Sequence, residues 1–432
     1  MEYSGGENFD LRDILVKSTD LSFRDRVDYF DQFVRNLQNT NQFNHMRCIT
    51  SAADREVEVF DKELNRNVKM LMFGSNNYLG LANHPYVKLK MEEALRKFGA
   101  GVGGPPLLNG YTSLHRNLEE RLAHLKGKED ACIFSSGYAA NVGLVTALMH
   151  SDDAVIYDAY SHASFCDGIK MSGVKSFRFA HNDMDQLRKK LSMAVKDNNA
   201  QIFVGVEGVY SMDGDMAPLP EIIELCREFN AILLLDDAHG TGMAGNTGRG
   251  SAEYFGVEND VDVTLGTFSK SFASTGGFVA SSKPIINYLR FFARSYIFSA
   301  SLSPVVLAAV SACMDLLEQD PTLINRLREN IAHAAGEFNK QGFNVDPQSA
   351  IIPLRVPEWM NIRKAANKFY KMGIFMNSIE FPAVPVSQQR FRISLMASHT
   401  KADIDRLVEA VSYIWNDPQV KFESAKEEIL FA

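Results

Sequence analysis

Six apolar runs punctuate the middle of this chain: ACIF (131–134), DAVIYD (153–158), QIFVGVEG (201–208), AILLLDD (231–237), VDVTLGT (261–267) and GGFVA (276–280). Most are separated by segments of helical periodicity, and no other feature restricts the fold as much. A strand apolar on both faces belongs in a sheet covered on both sides, and alternation with helices makes that sheet largely parallel. Leu114, Leu118, Leu122 and Leu125 mark one of the covering helices. From about Ser303 the pattern shifts to long helices with few strands, closing with RFRISLMA and a helix from Lys401. The chain is therefore expected to be α/β. A helical arm over 1–64 leads into a large domain over 65–302 and a smaller α+β domain over 303–432. In the arm, Phe23, Val27, Phe30, Val34 and Leu37 fall at helical spacing and predict an amphipathic helix packed through those residues.

Composition narrows the class. With 432 residues and 46% apolar content the chain is expected to form more than one domain. A net charge of −8 is unsuited to gripping nucleic acid. Cys48, Cys132, Cys166, Cys226 and Cys313 form no CxxC pair, which fits a reduced compartment better than a disulfide framework or a zinc site. The first thirty residues are charged throughout, so no signal peptide is read there. Pro304–Met314, the longest apolar stretch, is too short for a bilayer. A cytoplasmic protein without a transmembrane segment is expected.

Candidate chemistry gathers at strand C-terminal ends, where open α/β sheets bind ligands. Lys270 stands among hydroxyls and glycines in TFSKSFASTGG, beside the core rather than on a helix surface. Desolvation there lowers an ammonium's pKa and yields a usable amine, as a Schiff-base lysine requires; a turn-capping lysine is the plain alternative. Asp236 and His239 follow the apolar AILLL strand. A buried carboxylate needs a partner, and a protonated ring nitrogen, a helix cap or a metal each supplies one. No second His/Asp/Glu cluster supports the metal. His162, after DAVIYD, either stacks on a flat ring or is simply a loop residue. Ser136 and Gly137, between a strand and a helix, offer a phosphate cradle or an ordinary N-cap, and Thr267 and Ser269 add hydroxyls.

Two glycine triplets imitate a dinucleotide fingerprint. Gly99, Gly101 and Gly104 follow a helix, while Gly240, Gly242 and Gly245 lead into no helix, so nicotinamide chemistry is disfavoured. An aldehyde anchor, a ring-nitrogen carboxylate, a stacking imidazole and a phosphate cradle together specify pyridoxal 5'-phosphate.

The motifs FGSNNYLGL (73–81), LLNGYTSLHRNLE (107–119), SSGYAANVG (135–143), DAYSHAS (158–164), GVYSMDGD (208–215), DDAHGTG (236–242), GTFSKSFASTGGFV (266–279), FSASLSP (298–304) and RFRISLMASHT (390–400) occur in the order seen in the α-oxoamine synthases. The resemblance to these fold type I pyridoxal-phosphate enzymes runs from about residue 65 to 415. It implies that Lys270 is the Schiff-base lysine and α-proton base, and that Asp236 partners the ring nitrogen. His239 is implied to contact the phenolic oxygen and His162 to stack on the ring. Ser136, Gly137, Tyr138 and Thr267 are implied to hold phosphate and ring, with Ser211 beside the cofactor. Asn76 and Arg392 are implied to lie near the substrate, Arg392 clamping its carboxylate. Family enzymes are homodimers, and Ser299 or Ser301 is implied to reach the partner subunit's phosphate.

The implied reaction joins an amino acid to an acyl thioester, on coenzyme A or acyl carrier protein, and releases thiol, CO2 and a 2-amino ketone. Within the family, the Thr-Phe-Ser-Lys-Ser loop resembles the bacterial serine palmitoyltransferase branch. That implies L-serine, a long acyl chain and sphingoid-base synthesis. Branches using glycine, alanine or a sulfonated serine analogue are the alternatives, followed by an aminotransferase. One departure stands out: Gly104-Pro105-Pro106 occupies the place of the family's usual Gly-Ser-Arg, removing a hydroxyl and a cation near the active-site entrance.

Overall fold

The computed structural model describes residues 11–197 and 199–422, so the first ten residues of the expected arm and the last ten of the expected C-terminal domain lie outside the described residues. Its central sheet has seven strands, ordered Asp130–Phe134, Gly277–Ser281, Val263–Thr267, Ile232–Asp236, Ile202–Glu207, Ala154–Asp158 and Lys175–Phe179. Gly277–Ser281 runs antiparallel to both its neighbours, and the remaining pairs are parallel. The exception has a local cause. Phe268–Gly276 joins it to Val263–Thr267, and this link is shorter than the dozen or so residues a parallel crossover needs. Lys270 therefore sits in a tight return. The edge strand Lys175–Phe179 escaped the apolar reading because it is a largely exposed KSFRF segment.

Helices cover both faces. Gly137–Leu148, Ala163–Ser172 and Lys283–Phe292 pack on one side, against Cys132, Phe134, Val155 and Leu234. Met184–Lys196 and Leu219–Glu228 pack on the other, against Ile156, Val204, Leu233 and Leu235. Towards the C-terminus, Ile351–Arg355, Arg390–Ser394 and Asn377–Ile379 form a three-stranded antiparallel sheet with Arg390–Ser394 in the middle. Its inner face joins a core with Leu327, Phe338, Phe369 and Leu407 from three helices. Among the described residues no helix is long and apolar enough to cross a membrane.

Two features add to these expectations. Arg66–Met72, just past the expected boundary at 65, forms a second three-stranded sheet, antiparallel to Glu56–Asp61 and parallel to Ile374–Phe375. Its backbone groups find partners in those two strands and not in the central sheet. The arm helix forms over Phe23–Asn39, capped by Ser22, but buries Tyr29, Phe33 and Leu37. Phe23, Val27 and Phe30 are 73%, 50% and 43% exposed. The buried stripe packs against Ile14, and Phe33 lies under the Arg363 guanidinium, 5.7 Å from ring centroid to carbon. Tyr29, Phe33 and Leu37, at every fourth position, form the buried stripe, with Val34 packed beside it.

Candidate active site

Two buried phenylalanines bracket Lys270. Phe268 stacks on Phe278 of the next strand, with centroids 5.7 Å apart at 16°, and Phe272 is buried beyond the lysine. Ala273 N–H donates to Lys270 O at 2.9 Å and Ser274 N–H to Phe268 O at 2.8 Å, closing the return. The lysine is held half-buried between these anchors. Burial drives its pKa down; Asp236 and Glu207 oppose this without cancelling it, and Arg392 adds to it.

The neighbouring strand ends supply carboxylates. Asp236 Oδ2 accepts from Asn141 Nδ2 at 2.7 Å and Oδ1 from Ala238 N–H at 3.1 Å. Asn141 Nδ2 also donates to Ser164 Oγ at 3.0 Å, which lies 2.7 Å from His162 Nδ1. One hydrogen-bonded chain thus joins Asp236 to His162, built by the helices Gly137–Leu148 and Ala163–Ser172. His162 caps the second helix, its Nδ1 accepting from Ser164 N–H at 3.2 Å. Directly across the ladder from Asp236, Glu207 is buried with Oε1 unpartnered. Burial, reinforced by Asp236, pushes its pKa well up. Asn141, His162, Glu207 and Asp236 line one cavity. Asp237 faces elsewhere: Lys126 Nζ binds it at 2.7 Å and Ser251 Oγ at 2.5 Å.

A second network carries His239. Tyr78 Oη lies 2.7 Å from His239 Nδ1 and accepts from Arg392 Nη2 at 3.3 Å. Tyr78 Oη also donates to Asn76 Oδ1 at 3.4 Å, so the hydroxyl links His239, Asn76 and Arg392. Burial, with Lys270 and Arg392 nearby, holds His239 well below the ordinary histidine range and keeps it neutral. Arg392 Nε donates to Ser211 O at 2.5 Å, and Nη1 donates to Asn76 Oδ1 at 2.9 Å and Ser394 Oγ at 3.0 Å. Three distant stretches of chain meet at this guanidinium.

Beside Lys270 lies a cluster of donors. Ser136 Oγ accepts from Ala139 N–H at 3.0 Å, and Ala140 N–H donates to Ser136 O, so the Gly137 and Tyr138 amides remain at the positive helix end. Thr267 Oγ1 lies 3.0 Å from Ser269 Oγ. It also abuts Gly137, where an added Cβ would sit 3.1 Å from Thr267 Oγ1. Glycine keeps the helix end and the strand end in contact. Two amides and the hydroxyls of Ser136, Thr267 and Ser269 suit a phosphate. The Tyr138 hydroxyl donates to Asp167 Oδ2 at 2.6 Å. Among the described residues no side-chain hydrogen bond joins Ser299 to this cluster. Ser301 N–H donates to Gly104 O at 3.1 Å, setting the Gly104-Pro105-Pro106 segment against it.

The aminotransferase class I and II family model matches residues 68–411. The chain is 40% identical to the 8-amino-7-oxononanoate synthase of Geotalea daltonii, over 89% of this chain and 97% of that one. It is 41% identical to the serine palmitoyltransferase of Bacteriovorax stolpii, over 79% of this chain and 81% of that one. A solved structure of serine palmitoyltransferase from S. paucimobilis, with bound PLP–myriocin aldimine, matches with a TM-score of 0.85 and 31% identity, covering 94% of this chain and 98% of that one. The chain belongs to the α-oxoamine synthase family. This α-oxoamine synthase has the fold type I architecture and uses pyridoxal 5'-phosphate. Its residues fit that cofactor: a half-buried amine, a doubly hydrogen-bonded carboxylate, an orphaned carboxyl oxygen facing the same cavity, and a helix-end donor cluster.

Tyr78, Asn141 and Glu207 were not legible as site residues. The first two lie inside recognisable motifs but act through bonds to distant partners. Glu207 carried a signal of its own, as a lone acid closing the apolar strand QIFVGVEG.

Proposed function

We propose that this α-oxoamine synthase condenses L-serine with a long-chain acyl thioester, losing CO2, to give a 3-ketosphinganine-type product. The observation carrying this reading is the Thr267-Phe268-Ser269-Lys270-Ser271 loop, in which a hydroxyl residue, not glycine, precedes the lysine.

Bound pyridoxal phosphate supplies a protonated pyridine ring that takes up negative charge from the substrate's α-carbon. Lys270 Nζ, its basicity lowered by burial, accepts the α-proton as a free amine. Asp236, fixed by Asn141 and Ala238, holds the proton of the ring nitrogen. His239, held neutral, would face the ring oxygen, and His162 would stack on the ring. Ser136, Thr267 and the Gly137 and Tyr138 amides hold the phosphate. Arg392 grips the substrate carboxylate through two N–H groups, with Asn76 and Ser211 beside it. In a homodimer, Ser299 reaches the partner subunit's phosphate.

The test is a product screen. Purified enzyme is offered serine, alanine, glycine and sulfonated serine analogues, each with short- and long-chain thioesters of coenzyme A and acyl carrier protein, and products are read by mass. Serine with a long chain is expected to dominate. A preference for alanine with a short chain would move the enzyme to the branch of its 8-amino-7-oxononanoate synthase relatives. Oxo-acid formation without thioester consumption would make it an aminotransferase.

A further inference from the structure

His181 belongs to none of the groups above. It follows the edge strand Lys175–Phe179, with Nδ1 3.0 Å from Asp158 Oδ1 and Nε2 2.7 Å from Asp215 Oδ2. A carboxylate at each ring nitrogen requires both nitrogens to donate, which makes the ring a cation. Burial opposes that charge, but the bonds to Asp158 and Asp215 outweigh it and hold the pKa at about 9. Tyr160 stacks on the ring at 4.2 Å and 17°, and Tyr210 meets it edge-on at 4.4 Å and 86°. Asn182 completes the surroundings, donating through Nδ2 to Asp215 Oδ2 at 3.1 Å and through its N–H to Asp158 Oδ2 at 2.9 Å.

Each acid bounds a loop that carries a site residue. Asp158 opens the loop to His162 and accepts Tyr160 N–H at 2.7 Å. Asp215 closes the Gly208–Asp215 loop, in which Tyr210 N–H donates to Asp215 O at 2.9 Å and Ser211 O receives Arg392.

We propose that Asp158, His181 and Asp215 form a two-armed clamp in which His181 is a positioning residue, setting His162 through the Asp158 arm and the Ser211–Arg392 contact through the Asp215 arm. The proposal rests on the roles assigned above to His162 and Arg392, and makes no use of which thioester reacts.

The two arms have separable signatures. The visible circular dichroism of bound pyridoxal phosphate and its affinity report His162; spectral titration of the holoenzyme with L-serine and L-alanine reports Arg392. Asp215→Asn is expected to weaken amino-acid binding about fivefold and leave the cofactor's dichroism unchanged. Asp158→Asn is expected to alter the dichroism and weaken cofactor binding about fivefold, with a smaller effect on the amino acid. His181→Phe, which keeps a ring against Tyr160, is expected to do both. Any of the three variants that only lowers the melting temperature, or either asparagine variant that disturbs both readouts equally, overturns the clamp. Should His181→Phe fail to fold, Asp215→Asn at the partly exposed end of the clamp still decides. A wild-type enzyme that condenses no amino acid with any thioester refutes the proposed function and leaves these readouts intact.

Discussion

His181 and His239 are both largely enclosed, and both engage a partner through Nδ1, yet they stand in opposite charge states. His181 lies between two carboxylates and is held protonated. His239 lies near Lys270 and Arg392, is bonded to the Tyr78 hydroxyl, and is held neutral. Burial disfavours the charge at both, so the sign of the neighbours decides the outcome. The charged ring ties two loops together. The neutral ring adds no further positive charge beside Lys270 and Arg392.

Removing Lys270 changes the neutral side most. Lys270→Ala is expected to lower condensation by about 10³-fold or more and to abolish the absorbance of lysine-linked cofactor. Activity within about tenfold of wild type would show that another group takes the α-proton. On the charged side, His181→Phe leaves Asp158 and Asp215 facing each other and is expected to cost about 2–3 kcal/mol at neutral pH, read by denaturant unfolding. Tyr78→Phe takes away the hydroxyl that His239 Nδ1 and Arg392 share and is expected to lower kcat only about fivefold, with a loss of about 1 kcal/mol in stability. A much larger fall in kcat would mean that Tyr78 acts on the substrate directly.

The two rings also predict opposite pH dependences. The folded pKa of His181 is raised from 6.5 to about 9, so its stabilisation is complete below 6.5 and fades as pH rises through about 9. The deficit of His181→Phe should therefore shrink in alkaline solution. For His239 the folded pKa lies below 6.5, so stability is intact above that value and falls as the pH drops beneath it. His239→Asn should blunt that acid-side loss. Equal pH slopes for both variants would dissolve the contrast.

The covered, mostly parallel sheet and the candidate residues near its strand ends were legible for the same reason: apolar runs must be covered, and polar residues at their ends must have a use. Lys270, Asp236, His239 and His162 all announce themselves this way. What stayed hidden was built from contacts across the chain. Tyr78 and His239 are 161 positions apart, and Arg392 and Ser211 are 181 apart. No local pattern ranks Asn141 above the other residues of its helix, because its role is a bond to a strand that forms much later in the chain. The arm helix shows a subtler limit. Its existence follows from periodicity, but two overlapping apolar faces were available, and which one is buried depends on tertiary neighbours such as Ile14 and Arg363.

Arg392 already donates to Ser211, Asn76, Ser394 and Tyr78. Four of the five guanidinium N–H groups are thus committed and one, on Nη2, is not. On the proposed reading a substrate carboxylate meets that one donor directly, while its second oxygen takes a donor the protein was using, so part of the grip on the amino acid is an exchange of acceptors and not a pure gain. An exchange at Nε would release the backbone carbonyl of Ser211, and on the proposed reading recognition of the carboxylate and the hold on the Gly208–Asp215 loop would then be coupled.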